Sequence, residues 1–322
     1  MKEINEIKII SSNYINMPSK TKKQAVSLFG INDCHNPKKS RKNTLNNKKT
    51  QKRRTKPFNY KTIILFPHYL GQTKTGTEKA PEILYKYINK KRHVVKRVKD
   101  TNDMFKNIND LYKVNKSTRG KIVNIGGDHS MAIATIASTL NKYPDAKVVY
   151  FDAHADINTF KSSNSKHYHG MPLSFVTGID HNNKFSFIKN KLPFENLLYI
   201  GSRCWDIFEV NEVHKQNIQI LTPDDINKDF NGSINKIMNF VGNSPVHVSF
   251  DVDSIDPKYI PSTGTPVKNG VELNNAIKIL DNLNNTNIVN MDITELNKEL
   301  GSKADGNKSV KNTEILFHKF IS

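Results

Sequence analysis

Residues 148–160 read VVYFDAHADINTF. Four apolar residues run directly into Asp152, His154 and Asp156, an ionisable side chain at every second position. Successive side chains of an extended segment point to opposite faces, so positions i, i+2 and i+4 share one face. The spacing therefore predicts a buried strand that ends by presenting two carboxylates and an imidazole to one place. Buried chain rejects uncompensated charge, so something at that place must balance it.

Seven other short apolar runs flank this one: TIILF, HVVKRV, KIVNI, NLLYI, IQIL, VHVSF and NIVNM, beside KVVYF itself. Several lack polar alternation, which marks strands buried on both faces, as in parallel sheets. Helix-like segments lie between them. KAPEILYKYINKK has Pro near its start and Ile83, Leu84, Tyr87 and Ile88 at helical spacing. HSMAIATIASTLNKY groups Met131, Ile133, Ile136 and Leu140 on a helical wheel. SINKIMNFVG ends in Gly242, a candidate C-cap. The alternation predicts a doubly wound α/β fold, a mostly parallel eight-stranded sheet with helices on both faces. In such sheets sites form beyond the carboxyl ends of the strands, near a topological switch point.

The 322 residues carry a formal net charge of +19, unevenly spread. Residues 1–60 hold 15 Lys/Arg against 3 Asp/Glu; residues 61–322 hold 34 against 27. The first 60 residues lack hydrophobic periodicity and read as a disordered basic extension. The catalytic unit is expected over 61–322. The run KKTQKRR resembles a nuclear-localisation or nucleic-acid patch, but a solvated tail explains it as well, and a nucleic-acid partner is not expected. No apolar window is long enough to span a membrane. The N-terminus lacks a secretory core, and Cys34 and Cys204 make neither a disulfide framework nor a zinc motif. These features point to a cytoplasmic protein.

The residues just after each apolar run are the informative ones. Gly126–Ser130 read GGDHS, which includes His129; Asp251 and Asp253 follow VHVSF; Asp292 and Glu295 follow NIVNM; Arg203, Asp206 and Glu209 follow LLYI. Clustered carboxylates raise one another's pKa, and a divalent cation removes that conflict. Two His and four Asp exceed what one catalytic ion takes and suit two ions with shared carboxylates. Mixed imidazole and carboxylate donors favour Mn, Fe, Co or Zn.

GGDHS, DAHADINT and SFDVDSIDP, in this order and spacing, resemble the ureohydrolases, and within them the arginases. The resemblance covers about residues 61–322. It implies a binuclear Mn2+ centre, with His129, Asp152, Asp156 and Asp251 on one ion and Asp152, His154, Asp251 and Asp253 on the other. It implies that Asn158 and Ser165 meet the α-carboxylate of L-arginine and that Asp206 and Glu209 face its α-amino group. Thr265 and Glu295 then line the guanidinium end, Asp156 relays a proton, and His169 shuttles protons to solvent. A homo-oligomer, trimer or hexamer, is the family expectation, as is a place in arginine, ornithine, polyamine or urea-cycle metabolism.

There are departures from the family pattern. Cys204 stands where many arginases have Asp, the SSNSKHYHG loop keeps its spacing but changes residues, and a long C-terminal tail is absent. His167 reads as an exposed loop residue. Agmatinase is the alternative within the class, although agmatine has no carboxylate for Asn158 and Ser165. An inactive ureohydrolase-like binding protein is a further alternative, against which the full ligand set argues.

Overall fold

The structure is a computed structural model that describes residues 61–322. The basic extension and Cys34 lie outside the described residues. Each of the eight apolar runs forms a strand: β1 (Lys61–Phe66), β2 (His93–Arg97), β3 (Lys121–Gly126), β4 (Lys147–Phe151), β5 (Leu197–Ile200), β6 (Gln219–Leu221), β7 (Val246–Asp251) and β8 (Ile288–Thr294). They make one sheet in the order β2-β1-β3-β8-β7-β4-β5-β6. Every neighbouring pair is parallel, so the sheet is wholly and not just mostly parallel.

Parallel strands need crossovers, and the crossovers here are helical: α1 (Ala80–Tyr85), α2 (Met104–Ser117), α3 (Ala132–Lys142), α4 (Pro172–Thr177), α5 (Ile207–Lys215), α6 (Pro223–Lys228), α7 (Phe230–Val241) and α8 (Leu273–Leu283), with α9 (Lys303–Ile321) following the last strand. Ile63 and Leu65 pack with α1, α7, α8 and α9 on one face. Ile64 and Phe66 turn the other way, with α2, α3 and α4. On β4, Val149 and Phe151 join the first face while Val148 and Tyr150 join the second, beside Val213 of α5. Burial on both faces is the reason the runs are uniformly apolar; each such side chain contributes about 1.5–3 kcal/mol on leaving water.

Some helices differ from their sequence pattern. The KAPEILYKYINKK helix stops at Tyr85, after which Tyr87 and Ile88 bond back only three residues. In α3 every residue from Ala132 to Leu140 is buried, because the helix is enclosed by the sheet, α2 and α4. Gly242 ends α7 at φ 49°, as its capping role requires. The helices α2 and α9 begin with side-chain caps, Asp103 on the amide of Lys106 and Ser302 on that of Asp305.

The strand order places β3, β8, β7 and β4 in the middle of the sheet. Chain leaving β3 must cross two strands to reach β4, and the carboxyl ends of these four strands face one crevice. The GGDHS turn at the end of β3 is packed against backbone: a Cβ on Gly127 would lie 1.7 Å from the carbonyl oxygen of His68. Gly127→Ala should therefore destabilise the protein by at least about 1–3 kcal/mol, the cost of overpacking. A urea-denaturation midpoint equal to wild type would show that the turn relaxes freely.

Candidate metal centre and substrate cavity

β4 ends at Phe151, and its amide ladder closes with the N–H of Asp152 on the carbonyl of Ile200. Asp152, His154 and Asp156 therefore sit in a loop beyond the strand. Asp156 has φ 50°, a left-handed conformation, so the three side chains do not converge by strand pleating as their spacing suggested. The loop folds back and separates them into two groups. His129, Asp152 and Asp251 form one, and Asp152, His154 and Asp253 the other, with the donor atoms of each group within 4.8 Å of one another.

The first group is organised around one ring nitrogen. His129 Nδ1 lies 2.9 Å from Asp152 Oδ2, 3.1 Å from Asp156 Oδ2 and 3.3 Å from Asp251 Oδ2. The other nitrogen, Nε2, is 2.9 Å from Ser249 Oγ, which fixes the ring and leaves Nδ1 toward the carboxylates. In the second group His154 Nδ1 lies 3.3 Å from Asp152 and 3.1 Å from Asp253.

Backbone amides hold the carboxylates. Ala153 donates to Asp253, His154 to Asp152 and Asp253 to Asp251. Arg203 braces the loops from outside: its guanidinium donates to the carbonyls of Gly201, Asp253, Ser254, Val267 and Lys268.

The electrostatics of the cluster call for added positive charge. Burial pushes the Asp152 carboxyl up to about 7, and Asp156 and Asp253 push the same way. Asp251 is raised well above the carboxylate range by burial and then by Asp253 and Asp152. Asp253 runs oppositely: burial works against its charge, but His154, the Ala153 amide and Arg203 hold it low. Burial alone would lower the two imidazoles, yet the facing carboxylates raise both well above their usual value. Asp152 Oδ2 is buried and makes no hydrogen bond, and His129 Nδ1 lies 2.9 Å from it. A buried acceptor left in this state, among nitrogen and oxygen donors, fits a cation ligand.

Above the cluster lies a cavity of about 370 Å³. Its lining includes His129, His154, Asp156, Asn158, Ser165, His169, Asp206, Glu209, Asp251, Asp253 and Thr265. Asp152 and Glu295 are buried below it. Sequence spacing thus identified residues that the fold does bring together. Asn158 Nδ2 donates to Asp206 Oδ2 at 2.9 Å, and Ser162 Oγ donates to Asn158 Oδ1. Ser165 Oγ is 3.4 Å from Ser163 Oγ. Thr265 Oγ1 reaches Asp253 Oδ2 at 3.4 Å. Both Glu209 oxygens accept backbone amides, from Asp206 and Ile157, and burial pushes its carboxyl up to about 7. It ties the start of α5 to the DAHAD loop.

Glu295, also left-handed at φ 64°, is clamped by the amide of His129 at 2.8 Å, by Gln72 Nε2 at 2.8 Å and by His169 Nδ1 at 3.2 Å. Gln72 lies 223 residues from Glu295, and nothing local in GQTKTG announces the contact. Tyr150, read only as strand core, also reaches the site through its hydroxyl. Asp292 does not join the cluster: it stays within β8, hydrogen-bonded to Asn124, Thr135 and His247. His167 is half-buried rather than exposed, 5.8 Å from His169 between ring centroids. Cys204 is exposed on the cavity wall.

A parallel sheet with paired His/Asp donor groups beyond its central strands defines a metal-dependent hydrolase. A family model, the arginase family, matches residues 62–321. The arginase of Entamoeba histolytica is 32% identical over 292 residues, covering 81% of this chain and 98% of that protein. The arginase of Schizosaccharomyces pombe is 34% identical over 283 residues, covering 77% and 88%. The crystal structure of the Entamoeba histolytica arginase with L-ornithine superposes with a TM-score of 0.74 at 28% identity, covering 81% of this chain and 98% of that one. The chain belongs to the arginase family, a family of metal-dependent ureohydrolases.

His169 stands at about 9: burial would lower it, but the Glu295 carboxylate raises it, with Asp128 and Asp156 adding. Removing that carboxylate removes the main raising cause. Glu295→Gln should bring the His169 pKa of the metal-free protein down toward the ordinary imidazole value. An NMR titration that leaves it near 9 would assign the shift to Asp128 and Asp156 instead.

Proposed function

We propose that the protein hydrolyses L-arginine to L-ornithine and urea with two Mn2+ ions. The observation that carries this reading is the pair of donor groups sharing Asp152 at the floor of a cavity walled by Asn158, Ser165 and Asp206. His129, Asp152, Asp156 and Asp251 would hold one ion; Asp152, His154, Asp251 and Asp253 the other. Asp251 Oδ2 faces His129 while Oδ1 accepts the amide of Asp253, and its place on the second ion rests on the family resemblance. Oxygen and imidazole donors without thiolate suit manganese. When bound, the ions supply a hydroxide nucleophile at neutral pH.

The protein side chains supply recognition and proton movement. Asn158 and Ser165 would hold the α-carboxylate, Asp206 with Glu209 the α-amino group, and Glu295 with Thr265 the guanidinium end. Asn158 and Asp206 already bond to each other, so amide and carboxylate present a matched pair to a zwitterion. Asp156 would take the nucleophile's proton and pass it to the departing amine. His169, at the cavity wall and hydrogen-bonded to Glu295, would carry to solvent a second proton, the one lost by the fresh water that restores the nucleophile; bound cations nearby would pull its pKa back toward neutrality.

Chelator-treated protein reloaded with Mn2+ should release urea from L-arginine at a kcat/KM roughly 10-fold or more above that for agmatine, which lacks the carboxylate that the site would bind. Agmatine turning over faster would overturn the substrate assignment.

The family match over residues 62–321 supports 61–322 as the whole catalytic unit. No candidate ligand falls in residues 1–60. A chain lacking them should keep wild-type turnover and metal content; folded, metal-loaded protein with most of its turnover gone would refute this. Among the described residues no helix is long and apolar enough to cross a membrane. A cytoplasmic homo-oligomer, trimer or hexamer, serving arginine and ornithine metabolism is the remaining part of this reading and rests on the family resemblance.

A further inference from the structure

Tyr150 is the one β4 side chain that carries a polar group to the cluster from beneath. It is fully buried. Its ring stacks on the His129 imidazole, with centroids 4.7 Å apart and planes 12° from parallel. It meets Tyr199 edge to face at 6.0 Å. The Tyr150 hydroxyl donates to Asp156 Oδ2 at 2.9 Å and lies 3.2 Å from His129 Nδ1. A histidine nitrogen that ligates a cation has no lone pair left for a hydrogen bond, so with the ion present the phenolic proton has one acceptor, Asp156.

Asp156 needs such a hold. Its backbone is in the left-handed region at φ 50°, a conformation that costs a non-glycine residue about 1 kcal/mol or more and that the surroundings must enforce. Tyr199 holds the preceding peptide, its hydroxyl donating to the carbonyl of Ala155 at 2.6 Å. The amide of Leu173 holds the carbonyl of Asp156. The Tyr150 hydroxyl donates to the Asp156 carboxylate itself, whose Oδ2 also lies 3.1 Å from His129 Nδ1. It takes the oxygen that faces His129. The other oxygen, Oδ1, lies on the side of Gly170, where an added Cβ would stand 4.0 Å from it, and Asp156 and Gly170 both line the cavity.

We propose that Tyr150 is a positioning residue, whose hydroxyl fixes the Asp156 carboxylate with Oδ2 toward the ion beside His129 and Oδ1 free on the cavity side to accept the proton. This rests on the arginase reading and adds to it a residue that chooses between two chemically equal oxygens. Without the hydroxyl, Asp156 can turn both oxygens toward the ion, or swing away from it. Either motion loosens the ligand set and withdraws the proton acceptor, while the residues that meet the amino-acid end are untouched.

The test is Tyr150→Phe, which keeps the ring, its stacking and its volume. Mn2+ affinity, measured by chelator competition with the free-ion EPR signal, should weaken by about 10–100-fold for the less tightly held ion, the usual cost of losing a ligand-orienting partner. The kcat for L-arginine should fall while KM stays close to wild type. The same substitution in an Asp156→Ala background should cost nothing further in metal affinity, because the hydroxyl then has no side-chain oxygen to orient. Thermal unfolding of all variants separates these effects from loss of fold. Metal affinity and kcat within about twofold of wild type, or an equal loss in the Asp156→Ala background, would overturn the proposal. Wild-type protein that binds Mn2+ but does not hydrolyse arginine would overturn the function and leave the affinity comparison to judge Tyr150 alone.

Discussion

Four buried carboxylates packed around two imidazoles set the terms for the rest of the structure. Two like charges 4 Å apart repel by about 4 kcal/mol at an effective dielectric constant of 20, so the cluster cannot stay fully ionised without help. The protein supplies part of that help itself. Three amides in the DAHAD and DVD segments donate to three of the carboxylates, and His129 and His154 carry charge opposite them. What it does not supply is a hydrogen bond to Asp152 Oδ2, which faces the His129 nitrogen at 2.9 Å. A cation there would displace protons from the imidazoles, since metal and proton compete for the same nitrogens. The raised histidine pKa values are thus the metal-free face of the same electrostatic demand.

The parallel sheet makes this concentration of charge tolerable. Every strand contributes its carboxyl end to one side, and the order β3-β8-β7-β4 puts the ligand-bearing loops next to one another. Below the ligands the sheet is not uniformly apolar. Asn115, Asn124 and Asn290 bond to one another, Asn124 reaches Asp292, and Asp292 also meets Thr135 and His247. All of these are buried. The register pairs Ser249 with Asp292 across β7 and β8, and Ser249 is the residue that fixes His129. A satisfied polar layer therefore underlies the first donor group and resists rotation of its histidine. Partly satisfied, such a layer would destabilise the fold.

The strands were legible because burial on both faces leaves little choice of residue, and the ligands were legible because they follow those strands at short spacing. Strand order was not, since nothing within a strand states its neighbour. The DAHAD side chains do gather at the end of the sheet, but not on one face as period two suggested: the strand stops at Phe151, Asp156 is left-handed, and Asp156 and His154 face different donor groups. Gln72 was invisible for a different reason. It reaches Glu295 across 223 residues, and a lone Gln in a polar loop has no pattern. Glu209 was assigned to the substrate through the family resemblance; its geometry shows that both oxygens already accept backbone amides.

That commitment bears on how the cavity recognises its ligand. A side chain fully bonded to backbone is rigid, and rigidity lowers the entropy cost of binding. Glu209 fixes the start of α5, which sets Asp206, which in turn orients Asn158. Ser162 closes the other end of that chain on Asn158 Oδ1. The amide is therefore held with its oxygen satisfied from one side and its nitrogen bonded to a carboxylate on the other. An incoming ammonium can compete for that carboxylate and release the amide N–H to the carboxylate of the same molecule. A ligand with only one of the two groups would disturb the pair without replacing both contacts. Under the proposed function, recognition of an α-amino acid would in this way be a property of the Asn158–Asp206 bond rather than of either residue taken alone.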